Sequence, residues 1–210
     1  MKYKVMIVED QTMPRELFEL RIQASEHFEV ALSIDNAALA DVYCLRFPVD
    51  LILMDVVTRG GESGLDAAER IKRTFPLIKI IIVTSMPECS YLKRAKEIGV
   101  ESFWYKEEQR ESLLDVMERT MNGESVYPGA SPELTLGMAS SCQFTERELD
   151  ILREITSGDT NQEIADRLNM SVATVKTHIL NMLEKTGFRN RTELAVRARE
   201  SGLVILNRRN

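Results

Sequence analysis

The 210-residue chain is poor in cysteine. Its three, Cys44, Cys89 and Cys142, lie far apart and match no disulfide or zinc spacing. With no export signal, they are expected to be reduced thiols in a cytosol. No stretch approaches the length of a membrane-spanning helix. The start, "MKYKVMIVED", has only Val5 to Val8 in continuous apolar sequence, too short for a signal-peptide core. A disulfide scaffold, a zinc module and a helical membrane protein are thereby excluded, and a cytoplasmic location is expected. No internal repeat is visible, and residues 123–143 lack any Lys or Arg.

What is present suits one large or two small globular domains: hydrophobic residues are 44% of the chain and charged residues 29%. The net charge of −6 is unevenly spread. Residues 167–210 hold nine Lys/Arg against three Asp/Glu, a basic end on an acidic protein. Such a region points to a polyanion partner, although a solvated helix face has the same composition.

The segment "MNGESVYPGASPELTLGMASSCQ" (121–143) contains Gly, Ser and Pro without a clear period and reads as a connector. Residues 1–122 form one domain, 123–143 a linker and 144–206 a second domain. In the first, apolar runs at Val5–Val8, Val30–Ser33, Leu51–Met54, Ile80–Val83 and Ser102–Tyr105 alternate with amphipathic stretches at 14–25, 64–75, 90–99 and about 109–121. That alternation predicts a parallel sheet covered on both faces. The second domain shows helices only, over 145–157, 161–169, 171–187 and about 191–201. Asn161 and Ser171 are the expected N-caps and Gly187 the terminator.

Four predicted strands end on reactive groups: Glu9 and Asp10, Asp55, Thr84, and Lys106. In an open parallel sheet, function gathers beyond these carboxyl ends. Crowded carboxylates repel one another unless a cation lies among them, and oxygen-only ligands suit Mg²⁺. A carboxylate there can attack a phosphoryl donor, while a lysine and a hydroxyl neutralise the transferred group's oxygens.

With "VMIVEDQ", "DLILMD", "IIVTS" and "SFWYK", residues 1–122 resemble a response-regulator receiver domain. The resemblance implies a flavodoxin-like five-stranded sheet of order 2-1-3-4-5. It implies that Asp55 accepts phosphate from a histidine kinase and that Glu9, Asp10, Asp55 and the Val57 carbonyl hold Mg²⁺. Thr84 and Lys106 would stabilise the phosphoryl group, with Phe103 as the switching aromatic. The loop "VVTRGGESG" departs from the family pattern: it lacks the usual proline and is about one residue longer. Lys106 is followed by Glu107 rather than proline, and Glu107, Glu108 and Glu111 read as a solvated helix start.

In the second domain, a 100° step per residue places Val172, Val175, Ile179, Met182 and Leu183 on one face of the 171–187 helix. Ala173, Lys176, Thr177, Leu180 and Glu184 lie opposite, a set suited to a major groove. His178 and Lys185 flank the stripe within reach of phosphates. Residues 144–206 resemble a LuxR-type (NarL/FixJ) DNA-binding domain, with "TVKTH" (Thr174 to His178) on the recognition helix and Glu148 as a helix cap. The resemblance implies binding to double-stranded DNA and a dimer contact drawing on Leu194, Ala195 and Ala198.

The whole chain therefore resembles a two-component transcription factor. Phosphorylation would control homodimerisation and sequence-specific DNA binding. The alternative is a DNA-binding regulator independent of phosphate, whose receiver serves only to dimerise. Aspartyl-phosphate phosphohydrolases share Asp, Thr and Lys at strand ends, but need a second aspartate two residues past the nucleophile, where this chain has Val57. A non-enzymatic role is expected.

Overall fold

The computed structural model describes residues 2–86, 89–106, 112–129 and 133–204. Glu107, Glu108 and Glu111, the start of the helix expected from 109, and the end of the second domain beyond Val204 lie outside them. The chain divides into two compact units, the first built from residues 1–85 and 91–129 and the second centred on 130–210.

In the first unit, strands β1 (Tyr3–Val8), β2 (Phe28–Ile34), β3 (Leu51–Met54), β4 (Lys79–Thr84) and β5 (Ser102–Tyr105) form one parallel sheet of order β2-β1-β3-β4-β5. The helices are α1 (Thr12–Gln23), α2 (Ala40–Arg46), α3 (Gly64–Thr74), α4 (Cys89–Ile98) and α5 (Leu113–Met121). Strand side chains alternate between faces, so each continuous apolar run feeds two cores. Met6, Val8, Ile52, Met54, Ile80 and Ile82 pack with Ala40, Leu65, Ile71 and Ala95 on one side. Val5, Ile7, Leu51, Leu53, Ile81 and Val83 pack with Phe18, Ile22, Leu113 and Met117 on the other. Helix α2 has no counterpart in the sequence reading. It spans seven residues, and its exposed Leu45 and Val42 blur the apolar stripe that would announce it.

In the second unit, a hairpin of β6 (Thr135–Leu136) and β7 (Ala139–Ser140) precedes α6 (Glu146–Thr156), α7 (Asn161–Arg167), α8 (Val172–Thr186) and α9 (Arg191–Glu200). The expected 123–143 linker is thus too long. Leu136 and Ala139 are buried in the same core as Leu149, Ile164, Val175 and Leu194. The hairpin turn has Gly137 at φ +63°, where a Cβ would meet the Thr186 carbonyl at 2.1 Å, and Met138 N donates to that carbonyl at 3.0 Å. At the other end of the connector, Val126 is buried in the first unit. Thr160, not Asn161, caps α7: its hydroxyl accepts from Glu163 N while Glu163 reaches back to Thr160 N. Ser171 and a left-handed Gly187 bound α8 as expected.

The cysteines do not share one state. Cys44 is free, and burial, aided by the Asp41 charge, pushes its thiol up to about 11. Cys142 is disulfide-bonded, correcting the expectation of reduced thiols throughout; no short-range spacing announces that bond.

Candidate functional site

The parallel ladder continues one residue past each strand and sets the reactive groups along one edge. Glu9 N donates to Ile34 O, Asp55 N to Val8 O and Lys106 N to Thr84 O, each at 2.9 Å. Glu9 and Thr84 are fully buried, Asp55 is nearly so, and Asp10 is half-buried. Ligand oxygens of Glu9, Asp10 and Asp55 all lie within 4.8 Å of one another. The Lys106 ammonium donates to Asp55 Oδ2 at 2.8 Å and also to Glu9 Oε2.

This is a buried cluster with more negative than positive charge. Burial pushes the Asp55 carboxyl up to about 7; Lys106 opposes the shift and Glu9 reinforces it. Burial disfavours the Lys106 ammonium, but the two facing carboxylates outweigh that and raise its pKa. Three carboxylates with uncompensated charge and oxygen-only donors form a set that a hard divalent cation fits.

The loop after Asp55 is pinned at several points. Asp55 Oδ1 accepts from Val56 N at 2.7 Å, and Val57 bridges Ser63. Thr58 Oγ1 accepts from Ala37 N at 3.0 Å, and Arg59 N donates to Asp35 O at 3.1 Å. The missing proline is thus offset by side-chain and backbone anchors to the residues after β2. Ser63 caps α3, and Gly64 comes so close that a Cβ would stand 1.8 Å from the Asp55 carbonyl oxygen. Arg15, which also holds Glu9 O at 3.0 Å, went unrecognised in the sequence, as did Thr58 and Gly64; only an unexplained glycine at a helix start hinted at the last.

Phe103 is buried, with its ring centroid 5.0 Å from Tyr105 and 6.5 Å from Tyr127. Trp104 faces the other core, edge-on to Phe18.

In the second unit, Val175, Ile179 and Met182 are buried, with Val172 and Leu183 packed beside them. Thr174, Lys176, Thr177 and Leu180 are exposed and His178 is half-buried, leaving the predicted face of α8 open. Lys185 does not join that face. Its ammonium donates to both Glu148 oxygens and to Gln143 O, above the Phe144 ring. Its expected phosphate contact is corrected to a structural one, because Glu148 is buried and needs a cation. Glu148 also completes the capping box with Thr145. Leu194 and Ala198 are fully buried in their own domain's core, so they are not open to a partner; Ala195 is half-buried and Val196 exposed. Arg191 donates to Asn161 Oδ1 at 2.7 Å and to Asp159 O, tying α9 to the start of α7.

Among the described residues, no helix is long and apolar enough to cross a membrane. Residues 5–118 match the response regulator receiver domain family, and residues 142–198 match the bacterial regulatory proteins of the luxR family. The response regulator protein VraR of Staphylococcus epidermidis is 32% identical over 212 residues, covering 97% of this chain and 100% of the relative. VraR of Staphylococcus aureus is 31% identical over the same span. Among solved structures, RcsB dimers bound to two parallel DNAs match at TM-score 0.58 and 18% identity, over 95% of this chain and 98% of that one. The heme-sensing system regulator ChrA matches at TM-score 0.52 and 21% identity, over 97% and 99%. At those identities the structures speak to fold alone, whereas the family matches and the VraR relatives cover both domains: the chain belongs to the two-component response regulators that join a receiver to a LuxR-type helix-turn-helix DNA-binding domain.

Proposed function

We propose that Asp55 takes a phosphoryl group from a histidine kinase, and that this modification controls homodimerisation and sequence-specific binding to double-stranded DNA in the cytoplasm. The observation that carries the reading is the convergence of Glu9, Asp10, Asp55 and Lys106 at one sheet edge, with Lys106 bridging Glu9 and Asp55. An Asp55 carboxylate oxygen attacks the phosphorus of a phosphohistidine. The P–N bond breaks, its electron pair returns to the imidazole nitrogen, and an acyl phosphate remains on Asp55. Lys106 neutralises charge on the transferred group, and the buried Thr84 at the end of β4 supplies a hydroxyl. Glu9, Asp10 and Asp55, with the Val57 carbonyl, would hold Mg²⁺, which when bound offsets the negative charge of donor and acceptor. The chain is a phosphoryl acceptor and not an enzyme.

In the output domain, Lys176 and Thr177 on the exposed face of α8 meet base edges, with Thr174 and His178 towards the backbone and Leu180 against an apolar base group. RcsB, with the same fold, has been solved as dimers on DNA, which supports a dimeric DNA-bound form here. The test is intact-mass spectrometry after incubation with acetyl phosphate and Mg²⁺, native against Asp55→Asn. A hydroxylamine-labile phosphate adduct on the native chain alone is expected. No adduct with this donor or with a kinase donor, in a folded chain that still binds DNA, would overturn the phosphorylation reading.

A further inference from the structure

The outer edge of β5 does not face solvent at Phe103. After α5 the chain turns back, and Phe103 N donates to Val126 O at 2.9 Å. Val126 N donates in turn to Ser102 Oγ at 3.1 Å, and Ser102 Oγ lies 2.7 Å from Thr120 Oγ1 on α5. A sheet edge that offers unpaired backbone groups is thus closed by the first residues of the interdomain segment. Val126 is buried by this arrangement.

The next residue, Tyr127, is fixed at three points. Its hydroxyl donates to Val100 O at 2.5 Å, its ring lies 6.5 Å from that of Phe103 at an interplanar angle of 31°, and the Lys96 ammonium sits 5.1 Å from its centroid. It packs in the core that holds Phe103 and Tyr105, on the α4 side of the sheet. Phe103 is therefore enclosed between a strand neighbour and a residue of the segment leading to the second domain. Close-packed side chains do not reorient singly: a ring that leaves its place takes its neighbours' contacts with it.

We infer that Tyr127 is the latch through which a rearrangement of Phe103 reaches the interdomain segment, so that the state of the Asp55 pocket is read out as the docking or release of residues 124–127 from β5. This rests on the phosphoryl-switch reading and adds to it the element that carries the signal out of the receiver. Val126 and Tyr127 act by position; neither touches the phosphoryl group.

The test is hydrogen exchange on the full-length chain, with and without beryllofluoride and Mg²⁺ as the phosphoryl mimic, for the native protein, Tyr127→Phe and Tyr127→Ala. Amide protection of Phe103 and Val126 is the readout, because these two N–H groups make the docking bonds. In the native chain the mimic is expected to change Val126 exchange by about fivefold or more, the lower range of ordinary coupling between sites. Tyr127→Phe keeps the ring, loses the bond to Val100 O and should exchange faster in both states. Tyr127→Ala should show fast exchange that no longer responds, while still binding the mimic. Failure of the native chain to bind the mimic, read by mass spectrometry, would count against the phosphoryl-switch reading. Binding that leaves Phe103 and Val126 exchange unaltered in the native chain, or a full response retained in Tyr127→Ala, would overturn the latch alone. Should Tyr127→Ala unfold, the native and Tyr127→Phe measurements still decide.

Discussion

Lys185 Nζ donates to both carboxylate oxygens of Glu148, at 2.8 and 2.6 Å, across a span of 37 residues. This pair joins the end of α8 to the cap of α6. The ammonium and the Thr145 bonds outweigh desolvation and hold the Glu148 carboxyl below its ordinary range. Its contribution is present above the unfolded carboxylate pKa and is lost as pH falls through the lower folded value. Lys185→Met leaves a buried carboxylate without its cation and should destabilise the second domain by about 2 kcal/mol at neutral pH, less than for a wholly buried pair because the lysine remains partly solvated. Hydrogen exchange across 146–200 would register this loss, and it should shrink in acid.

Lys176→Ala should behave in the opposite way. Lys176 is exposed on α8, so exchange and melting should be unchanged. DNA affinity should drop and, because Lys176 is assigned to a base edge, discrimination at that base should relax by about 1–3 kcal/mol, with the slope of log affinity against log salt little changed. Binding titrations at three salt concentrations separate the two lysines.

Asp55→Asn should stabilise the receiver. The Asp55 carboxyl, raised by burial from 3.8 to about 7, holds a proton in the folded state that the unfolded chain has released. Stability from this group is therefore full below the unfolded value and declines as pH rises towards 7. Removing the charge should leave the variant about 1–2 kcal/mol more stable at pH 8 without Mg²⁺, and little different at pH 4. Denaturant titrations at the two pH values test the sign.

Gly64→Ala should damage the pocket although Gly64 carries no side chain. Its Cβ would stand 1.8 Å from the Asp55 carbonyl, a backbone atom that cannot turn aside. A loss of about 2–3 kcal/mol and a large drop in acetyl-phosphate labelling are expected, the former in the range of overpacked cores.

On α9, Leu194→Ala should cost about 3 kcal/mol of folding stability, as for other buried leucines. Val196→Glu should leave folding intact; if the exposed side of α9 forms the dimer contact, it should weaken dimeric binding to paired half-sites. Analytical ultracentrifugation with DNA distinguishes them.

The sheet and its reactive edge were legible because the inner strands β1, β3 and β4 are buried on both faces over most of their length and therefore write unbroken apolar runs. Val5–Val8 leading to Glu9 and Leu51–Met54 leading to Asp55 are such runs. The hairpin at 135–140 was not legible, since strands of two residues have no period to read. Nor was the burial of Leu194 and Ala198: four apolar positions on a ten-residue helix can face inward or outward, and only the packing around them decides. Lys185 misled for a similar reason, its partner lying in a helix two elements away.

The packing at the two ends of the connector also sets where such genes can be cut and rejoined. Tyr127 belongs to the receiver's core and Leu136 to that of the output domain. A recombination event that exchanged output modules at the codon for residue 144 would strand Leu136 and Ala139 on the wrong parent, leaving the new domain without its hairpin. A crossover within the codons for 128–133 would carry both cores over whole, so viable chimaeras of this protein should cluster in that window.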